Sequence, residues 1–391
     1  MSKKILIFST AYQPFMSGAE MAVDEISKRI NNFEFDLITA RIDRQLADKE
    51  KYNNITIYRV GFGLKTLDKF LLPFLGYFKA KELYKKNNYS IVWSLMASQA
   101  SIAASLFKKK FFDVKLILTL QEGDEEDYLK RYVGGSTFLF NVLIRPWYLM
   151  VFKNADFVAV LSQYLKERAI RNGVKCEIKI IPNGVDLEKF SQKFPDKELV
   201  QLKNELCKKG DDKFLVHTGR LNYKNALDDI IKALPLLPDN IKFLSVGNGE
   251  EKDNLIKLAQ KLGVRERIIF KDFIEHKEMA KYLKVSDIFI RPSLSEGMGS
   301  SFLEAMAAEI PVIATPVGGI LDFLEGGKTG MFCEVRDSKS IAEAVMVLLK
   351  DEKLRNNIIK KAKQMVFEKY HWGLITEDMQ QIFKNLSTKS S

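Results

Sequence analysis

Cysteine and histidine are scarce in this chain, with three of each among its 391 residues. Cys176, Cys207 and Cys333 are odd in number and have no metal-like spacing, which predicts reduced thiols in a reducing compartment. The histidines, at positions 217, 276 and 371, are equally scattered, and each is interpreted as structural or surface. The sequence therefore predicts neither a disulfide framework nor a metal site, and it indicates no catalytic histidine.

Long hydrophobic runs are also missing. The nearest approach, residues 138–152, is interrupted by Asn141 and Arg145 and falls short of the roughly 18 apolar residues that a spanning helix needs. Lys3 and Lys4 lead directly into a short strand-like run, which is not the pattern of a signal peptide. We therefore expect a cytoplasmic protein that does not span a membrane.

Positive charge is abundant, but only in the first half. Residues 1–185 contain 28 Lys and Arg against 19 Asp and Glu, whereas the remainder contains 33 against 31, and the formal net charge is +11. Such a surface suits anionic lipid or a phosphorylated acceptor, or it serves only solubility, and no nucleic-acid motif occurs. Two apolar and basic segments, 70–86 and 138–153, have the composition of interfacial helices, although packing on a sheet with a solvated basic face explains them equally well.

Short apolar runs alternate with helical patterns along the whole chain. The predicted strands are 4–9, 35–39, 55–60, 91–95, 114–120, 157–161 and 178–181, then 214–218, 241–246, 268–270, 288–290 and 311–314. Helical patterns lie between most of them, notably at 67–86 and 136–152, and three helices at 338–349, 353–367 and 372–385 end the chain. This alternation predicts α/β domains with parallel sheets, and the length is enough for two domains of about 190 residues.

The segment 293–319 is the most informative. The strand 288–290 runs into a loop with Glu296, Gly297 and Gly299, and a helix with Glu304 then begins near Ser301. A second strand follows and ends in a loop with Gly318 and Gly319. Parallel sheets bind ligands beyond the carboxyl ends of their strands, and a helix N-terminus attracts phosphate. The sequence therefore predicts a phosphate-containing ligand here.

This segment resembles the glutamate-x7-glutamate signature of the retaining glycosyltransferases of family 4, which have the GT-B fold. The resemblance implies that Glu304 holds the ribose hydroxyls of a nucleotide and that Glu296 lies beside the donor sugar. The phosphates would lie over the loop between them, residues Gly297, Met298, Gly299, Ser300 and Ser301.

A second resemblance is the family's Gly-Arg-Leu segment, here Gly219-Arg220-Leu221. In the family, an arginine and a nearby lysine clamp the donor diphosphate, a task that suits a guanidinium fork and an ammonium. Alignment without gaps puts Asn225 at the position where the family commonly has the lysine, and Lys224 one residue before it. We favour Lys224 as the diphosphate ligand, because a one-residue adjustment of the loop costs little. By the same resemblance, Gly247 and Asn248 lie near the nucleotide, and Asp272-Phe273-Ile274 lies near the base.

The first half resembles the family less specifically. The loop after the first strand contains Gly18, where the family often has two glycines, and Gln121 stands where many members have a histidine that contacts the donor sugar. Glutamine cannot titrate near neutral pH, which argues against acid–base catalysis at this position. The following acidic run, 124–127, is either a solvated loop or a reader of acceptor hydroxyls. Residues 182–186 resemble the family's Asn-Gly-Val-Asp element at the domain crossover.

The resemblance implies two Rossmann-like, doubly wound parallel-sheet domains with an interdomain cleft. Residues 1–186 would form the acceptor-side domain, 187–212 a polar linker with some helix at 197–208, and 213–371 the nucleotide-sugar-binding domain, with a helix at about 372–386 returning to the first domain. The implied activity is a metal-independent, retaining transfer of a hexosyl unit from a GDP- or UDP-linked sugar to a glycan or lipid-linked acceptor. The alternatives are a non-catalytic sugar-nucleotide or glycan-binding subunit, or another GT-B enzyme such as an epimerase or phosphorylase.

Overall fold

The computed structural model describes residues 3–123, 129–272 and 274–388. The chain divides into two compact units, of which the first comprises Met1–Asn183 with Trp372–Ser391 and the second comprises Gly184–His371. The segment predicted as a linker, 187–212, has helices at Leu187–Ser191 and at Asp196–Glu205, the second close to the predicted 197–208, but it belongs to the second unit. Phe190 and Leu206 in this segment are buried, which explains why it packs rather than extending as a linker.

The first unit contains an eight-stranded sheet in the order β3-β4-β2-β1-β5-β6-β7-β8. All neighbouring strands are parallel except β3, which runs antiparallel to β4 at the edge. The strands are β1 Lys3–Phe8, β2 Phe33–Ala40, β3 Lys49–Tyr52, β4 Ile55–Val60, β5 Ile91–Leu95, β6 Lys115–Leu120, β7 Phe157–Val160 and β8 Glu177–Ile180.

Helices cover both faces of this sheet, so the strands have an apolar core on each side. Ile5 and Ile7 of β1 point into one core, and Leu6 and Phe8 point into the other, as the two-residue period of a strand requires. The main helices of the unit are Gly18–Ser27, Lys65–Asn87, Gln99–Lys110, Arg145–Lys153, Gln163–Arg171 and Trp372–Thr388.

The last helix, Trp372–Thr388, packs into the core of the first unit. Phe383 lies with its ring centroid 5.8 Å from that of Phe33, 6.3 Å from that of Phe35 and 5.4 Å from that of Trp93. The chain therefore returns to the first unit after it completes the second.

The helix predicted at 136–152 is interrupted. A single α-turn, Thr137–Leu139, continues as a π-helical stretch, Phe140–Ile144, before the α-helix Arg145–Lys153. Pro146 lies at the start of this α-helix, where the missing N–H costs nothing, whereas a continuous helix would need that N–H.

The second unit contains a six-stranded sheet in the order β11-β10-β9-β12-β13-β14, with every pair parallel. Its strands are β9 Lys213–Thr218, β10 Ile241–Val246, β11 Ile268–Lys271, β12 Ile288–Arg291, β13 Val312–Ala314 and β14 Met331–Phe332. The helices are Leu187–Ser191, Asp196–Glu205, Leu227–Ala233, Lys252–Lys261, Met279–Lys284, Ser300–Ala307, Ser338–Lys350 and Glu352–Lys369.

Among the parallel strands of each sheet, the strand order reverses once, at the first strand of that unit. β1 lies between β2 and β5, and β9 lies between β10 and β12. In open α/β sheets the crevice at such a reversal is where ligands bind. No helix in the described parts of the chain is both long enough and apolar enough to cross a membrane.

Candidate functional site

The loops after β9 and β12 lie at the reversal point of the second sheet. β12 is buried along its whole length, and Pro292 follows it directly, which suits a strand end because proline has no N–H for a further ladder bond. The backbone N–H of Leu294 then donates to the carbonyl of Lys224, 2.7 Å away. This hydrogen bond joins the Glu296 loop to the Arg220–Asn225 segment, so the structure brings the two resemblance motifs together.

The Glu296 loop has a shape that requires glycine. Gly299 has φ +86°, and a Cβ at this position would lie 2.5 Å from Cδ2 of Phe302. Gly318 has φ +53°, and a Cβ there would lie 2.1 Å from the carbonyl oxygen of Glu296, which also accepts a hydrogen bond from the N–H of Gly319 at 3.0 Å. The predicted glycine pair therefore packs against the glutamate loop.

Arg291, the last residue of β12, holds the Glu296 side chain. The guanidinium of Arg291 lies 2.5 Å from Oε2 of Glu296 and donates to Oγ of Ser301 at 3.0 Å. It also lies over the ring of Phe302, 4.4 Å from the centroid. The Arg291 side chain is only 9% exposed and that of Glu296 is 17% exposed, so this ion pair is well shielded from water. The sequence prediction missed Arg291.

The rest of the predicted phosphate loop lies around this ion pair. Gly297 and Met298 are buried, whereas Ser300 and Ser301 are half-buried at the start of the helix Ser300–Ala307. The first turn of that helix has backbone N–H groups that the helix itself does not use. Contacts to a ligand from this segment would thus come from backbone and hydroxyl groups.

Glu304, on the same helix, lies at the end of a chain of side chains. Its Oε1 lies 3.0 Å from Nε2 of His276, and Nδ1 of His276 lies 2.5 Å from Nζ of Lys189. The Glu304 side chain is 15% exposed and that of His276 is 39% exposed. The sequence prediction interpreted His276 as structural or surface and assigned no role to Lys189. Glu304 lies 28 positions from His276 and Lys189 lies 87 positions from it, so no local sequence pattern indicates these contacts.

The Gly219 loop and the Gly247 loop are held together by backbone hydrogen bonds. The N–H of Leu221 donates to the carbonyl of Asn248 at 3.1 Å, and a Cβ on Gly247 would lie 2.0 Å from the carbonyl oxygen of Gly219. Arg220 is exposed on this loop, as is Asn248. The predicted residues Gly219, Arg220, Gly247 and Asn248 are therefore neighbours in the structure.

Asn225 has a structural use in the same loop. It is 5% exposed, and its Nδ2 donates to the carbonyl of Arg220 at 2.6 Å. Lys224, the alternative diphosphate ligand, is half-buried. Asn225 thus braces the backbone that carries Arg220.

His217 lies buried beneath the Gly219 loop, close to Arg291. Burial and the nearby Arg291 charge lower the pKa of His217 well below its usual value. The ring is therefore neutral at physiological pH, and it adds no positive charge beneath this loop.

Gly18 and Gln121 belong to the first unit and follow the carboxyl ends of β1 and β6. Gly18 is exposed at the start of its helix, and a Cβ there would meet nothing within 4 Å. Oε1 of Gln121 accepts a hydrogen bond from Nδ2 of Asn183 at 3.1 Å, which ties Gln121 to the predicted Asn-Gly-Val-Asp element. The acidic run 124–127 and Phe273 lie outside the described residues.

Two family models match adjoining parts of the chain. The model described as "Glycosyltransferase Family 4" matches residues 16–189, and the one described as "Glycosyl transferases group 1" matches residues 201–365. An uncharacterized glycosyltransferase of Methanocaldococcus jannaschii is 30% identical over 241 residues, which cover 61% of this chain and 62% of that protein. The N-acetyl-alpha-D-glucosaminyl L-malate synthase of Bacillus anthracis is 27% identical over 387 residues, 97% of each chain.

Solved structures share the fold over nearly the whole length. Sucrose-phosphate synthase from Thermosynechococcus elongatus has a TM-score of 0.83 at 19% identity and covers 99% of this chain and 100% of its own. The Anabaena protein Alr3699/HepE, solved in complex with UDP-glucose, has a TM-score of 0.78 at 18% identity, with coverage of 98% and 99%. Together with the two family matches, these likenesses confirm the GT-B fold. The chain, whose C-terminal half matches the group 1 model, belongs to glycosyltransferase family 4.

Proposed function

We propose that this glycosyltransferase moves a hexosyl unit from a UDP- or GDP-linked sugar to a glycan or lipid-linked acceptor, with retention of configuration. The observation that carries the proposal is the hydrogen bond from Leu294 to Lys224, because it joins the arginine loop to the loop of Glu296. Cationic groups for a diphosphate and carboxylates for hydroxyls thus occur at one edge of the second sheet.

Arg220 and Lys224 would bind the donor diphosphate, together with backbone N–H groups at the start of the helix Ser300–Ala307. Glu304 would accept hydrogen bonds from ribose hydroxyls, and Glu296 would contact the donor sugar. Because these groups offset the diphosphate charge as it develops, the proposed reaction uses no metal ion.

The acceptor hydroxyl would approach the anomeric carbon from the face that the diphosphate leaves. The bond from that carbon to the diphosphate breaks as the bond to the acceptor oxygen forms, and the acceptor proton passes to a leaving phosphate oxygen. Such a step needs no side-chain base, which agrees with the neutral amide at Gln121.

A lipid-linked acceptor is favoured by the surface of the first unit. The helix Lys65–Asn87 exposes Phe70, Phe74 and Phe78, which are 53%, 54% and 62% exposed, and their four-residue spacing places them on one face. Lys81 and Lys85 continue this face. We propose that it contacts an anionic membrane, on the cytoplasmic side. A second exposed apolar segment would do the same, and it contains Phe138, Val142, Leu143 and Trp147.

The test is a thermal-shift screen of the purified protein against UDP, GDP, ADP and their sugars, without and with EDTA. A ligand that binds the folded protein raises its melting temperature by mass action. We expect a selective, EDTA-insensitive rise with one nucleotide, and a smaller rise for Glu304→Ala. An absence of any rise would contradict the proposal, and a rise that EDTA abolishes would contradict its metal independence.

A further inference from the structure

Lys189, His276 and Glu304 form a continuous chain of polar contacts within the second unit. Lys189 lies on the helix Leu187–Ser191, His276 precedes the helix Met279–Lys284, and Glu304 lies on the helix Ser300–Ala307. The distances are 2.5 Å from Nζ of Lys189 to Nδ1 of His276 and 3.0 Å from Nε2 of His276 to Oε1 of Glu304. Both ring nitrogens of His276 are thus engaged.

The chemistry of lysine determines the direction of these hydrogen bonds. A lysine ammonium can only donate, so Nδ1 of His276 must accept the hydrogen bond from Lys189. The proton of the neutral ring is therefore on Nε2, which donates to the carboxylate of Glu304. Lys189 in this way selects the tautomer of His276 that can bond to Glu304.

Packing holds the ring of His276 in this orientation. The ring of Phe190 meets it edge to face, with centroids 5.5 Å apart and an angle of 68° between the planes. Phe190 is fully buried, and the helix that carries it is capped by Asp186, whose carboxylate accepts from the N–H of Lys189 at 3.1 Å. Lys189 and Phe190 are thus fixed on one short, capped helix.

We propose that His276 and Lys189 are positioning residues that orient Glu304 toward the ribose of the nucleotide. The hydrogen bond from His276 occupies Oε1 of Glu304 and fixes the carboxylate plane, so that Oε2 is oriented before a ligand binds. A carboxylate that is already oriented loses less conformational freedom when a ligand binds, so its ligand binds more tightly. Only ligands with ribose hydroxyls contact this carboxylate, so only their affinity benefits. The inference rests on the proposed role of Glu304 in nucleotide binding.

The experiment is isothermal titration of the full-length protein with UDP or GDP, whichever the wild type binds, and with the 2′,3′-dideoxy form of the same nucleotide. The variants are His276→Leu, His276→Gln and Lys189→Met, with Lys277→Met as the matched control. Lys277 is exposed, and its Nζ pairs with Glu275 rather than with His276.

We expect His276→Leu to weaken binding of the ribonucleotide about tenfold and to leave binding of the dideoxy form unchanged. The glutamine amide has an NH2 group that can donate to Glu304 and an oxygen that can accept from Lys189, so His276→Gln restores most of the affinity. Lys189→Met gives a smaller, equally ribose-specific loss, because the other tautomer of His276 becomes accessible, and Lys277→Met has no effect.

Equal losses for the ribose and dideoxy ligands in His276→Leu would overturn the inference, since a merely structural role predicts that result. Wild-type affinity in His276→Leu would overturn it as well. A wild-type protein that binds the two ligands equally, or binds neither, would instead remove the proposed role of Glu304, and the inference with it. The wild-type titrations therefore separate a failure of the proposed function from a failure of this inference.

Discussion

The guanidinium of Arg291 joins three parts of the candidate site: the end of β12, the carboxylate of Glu296 and the first turn of the helix Ser300–Ala307. The position of Glu296 therefore depends on a residue five positions earlier in the chain. Without Arg291, Glu296 would be a mostly buried carboxylate that has lost its ion-pair partner.

We predict that Arg291→Met lowers the free energy of unfolding by about 3 kcal/mol, because it leaves the Glu296 charge without its partner. Urea denaturation followed by circular dichroism measures this loss. Glu296→Gln in the same chain should recover part of it, since the neutral amide needs no cation. Lys328→Met, which removes an exposed pair with Glu325, should cost less than about 1 kcal/mol. Equal stability of Arg291→Met and the wild type would contradict the bridging role.

Gly299 is predicted to tolerate no side chain. Gly299→Ala combines a left-handed φ of +86° with a Cβ 2.5 Å from Phe302 and 2.7 Å from Nη2 of Arg291, so the loop must move. Gly327→Ala is the control, because its φ is +71° but a Cβ there would meet nothing within 4 Å. The control should cost about 1 kcal/mol in urea denaturation and Gly299→Ala clearly more. Equal losses of stability for Gly299→Ala and Gly327→Ala would show that the close contacts with Phe302 and Arg291 do not restrict this position.

Sequence reasoning predicted the residues of the motifs but not the residues that contact them in the structure. Glu296, Glu304 and Arg220 stand in patterns that a chain shows locally, and a hydrogen bond joins the loop of Glu296 to the loop of Arg220. Arg291 could have been suspected as a charge at the end of an otherwise apolar strand, Ile288–Arg291. His276 and Lys189 could not, because their contact spans 87 residues and depends on how three helices pack.

At the scale of elements, the long buried strands were predictable and the short edge elements were not. β1, β5 and β10 are nearly continuous apolar runs, which mark strands covered on both faces. β3, Lys49–Tyr52, has no buried residue, and β14 has only two residues, so neither leaves a pattern of apolar side chains. The segment 187–212 has too few apolar residues to predict that its two short helices pack on the second unit.

The helix Trp372–Thr388 is an element whose packing can be tested directly. Phe383→Ala should destabilise the first unit by about 3–5 kcal/mol, because it leaves a cavity between Phe33, Phe35 and Trp93. Tryptophan fluorescence during urea denaturation reports this unit, because Trp93 touches Phe383. Phe112→Ala, at a side chain that is 72% exposed, should change stability by less than about 0.5 kcal/mol. An unfolding midpoint for Phe383→Ala close to that of the control would contradict this packing.

The exposed face of the helix Lys65–Asn87 gives a prediction about membranes. The wild type should sediment with vesicles of phosphatidylcholine and phosphatidylglycerol, and more weakly in high salt, because the lysines act through screened charge. Replacing Phe70, Phe74 and Phe78 by serine should reduce binding at least tenfold, since each phenylalanine contributes buried apolar area. Leu236→Ser with Leu321→Ser, two exposed positions in the second unit, is the control. Equal binding by the triple serine variant and the wild type would refute the proposed membrane face.

At the scale of the whole molecule, the alternation of strands and helices predicted two α/β sheets, and the family likenesses confirm the GT-B fold and the glycosyltransferase family. The uneven charge largely follows this division: the basic excess falls in residues 1–185, which lie almost entirely in the first unit, whereas residues 186–391 carry nearly balanced charge. The donor base and the hexose stay open, because backbone groups that contact a base leave no pattern in a sequence.

The central claim is that this chain transfers a hexosyl unit with retention. The most direct measurement is proton NMR of a reaction that contains the purified protein, the nucleotide sugar selected by the thermal-shift screen, a membrane lipid extract and EDTA. The proposal predicts a product whose new anomeric bond has the same configuration as the donor, and no product with Arg220→Ala. A product of opposite configuration, or donor binding with no product from any donor and acceptor, would contradict it.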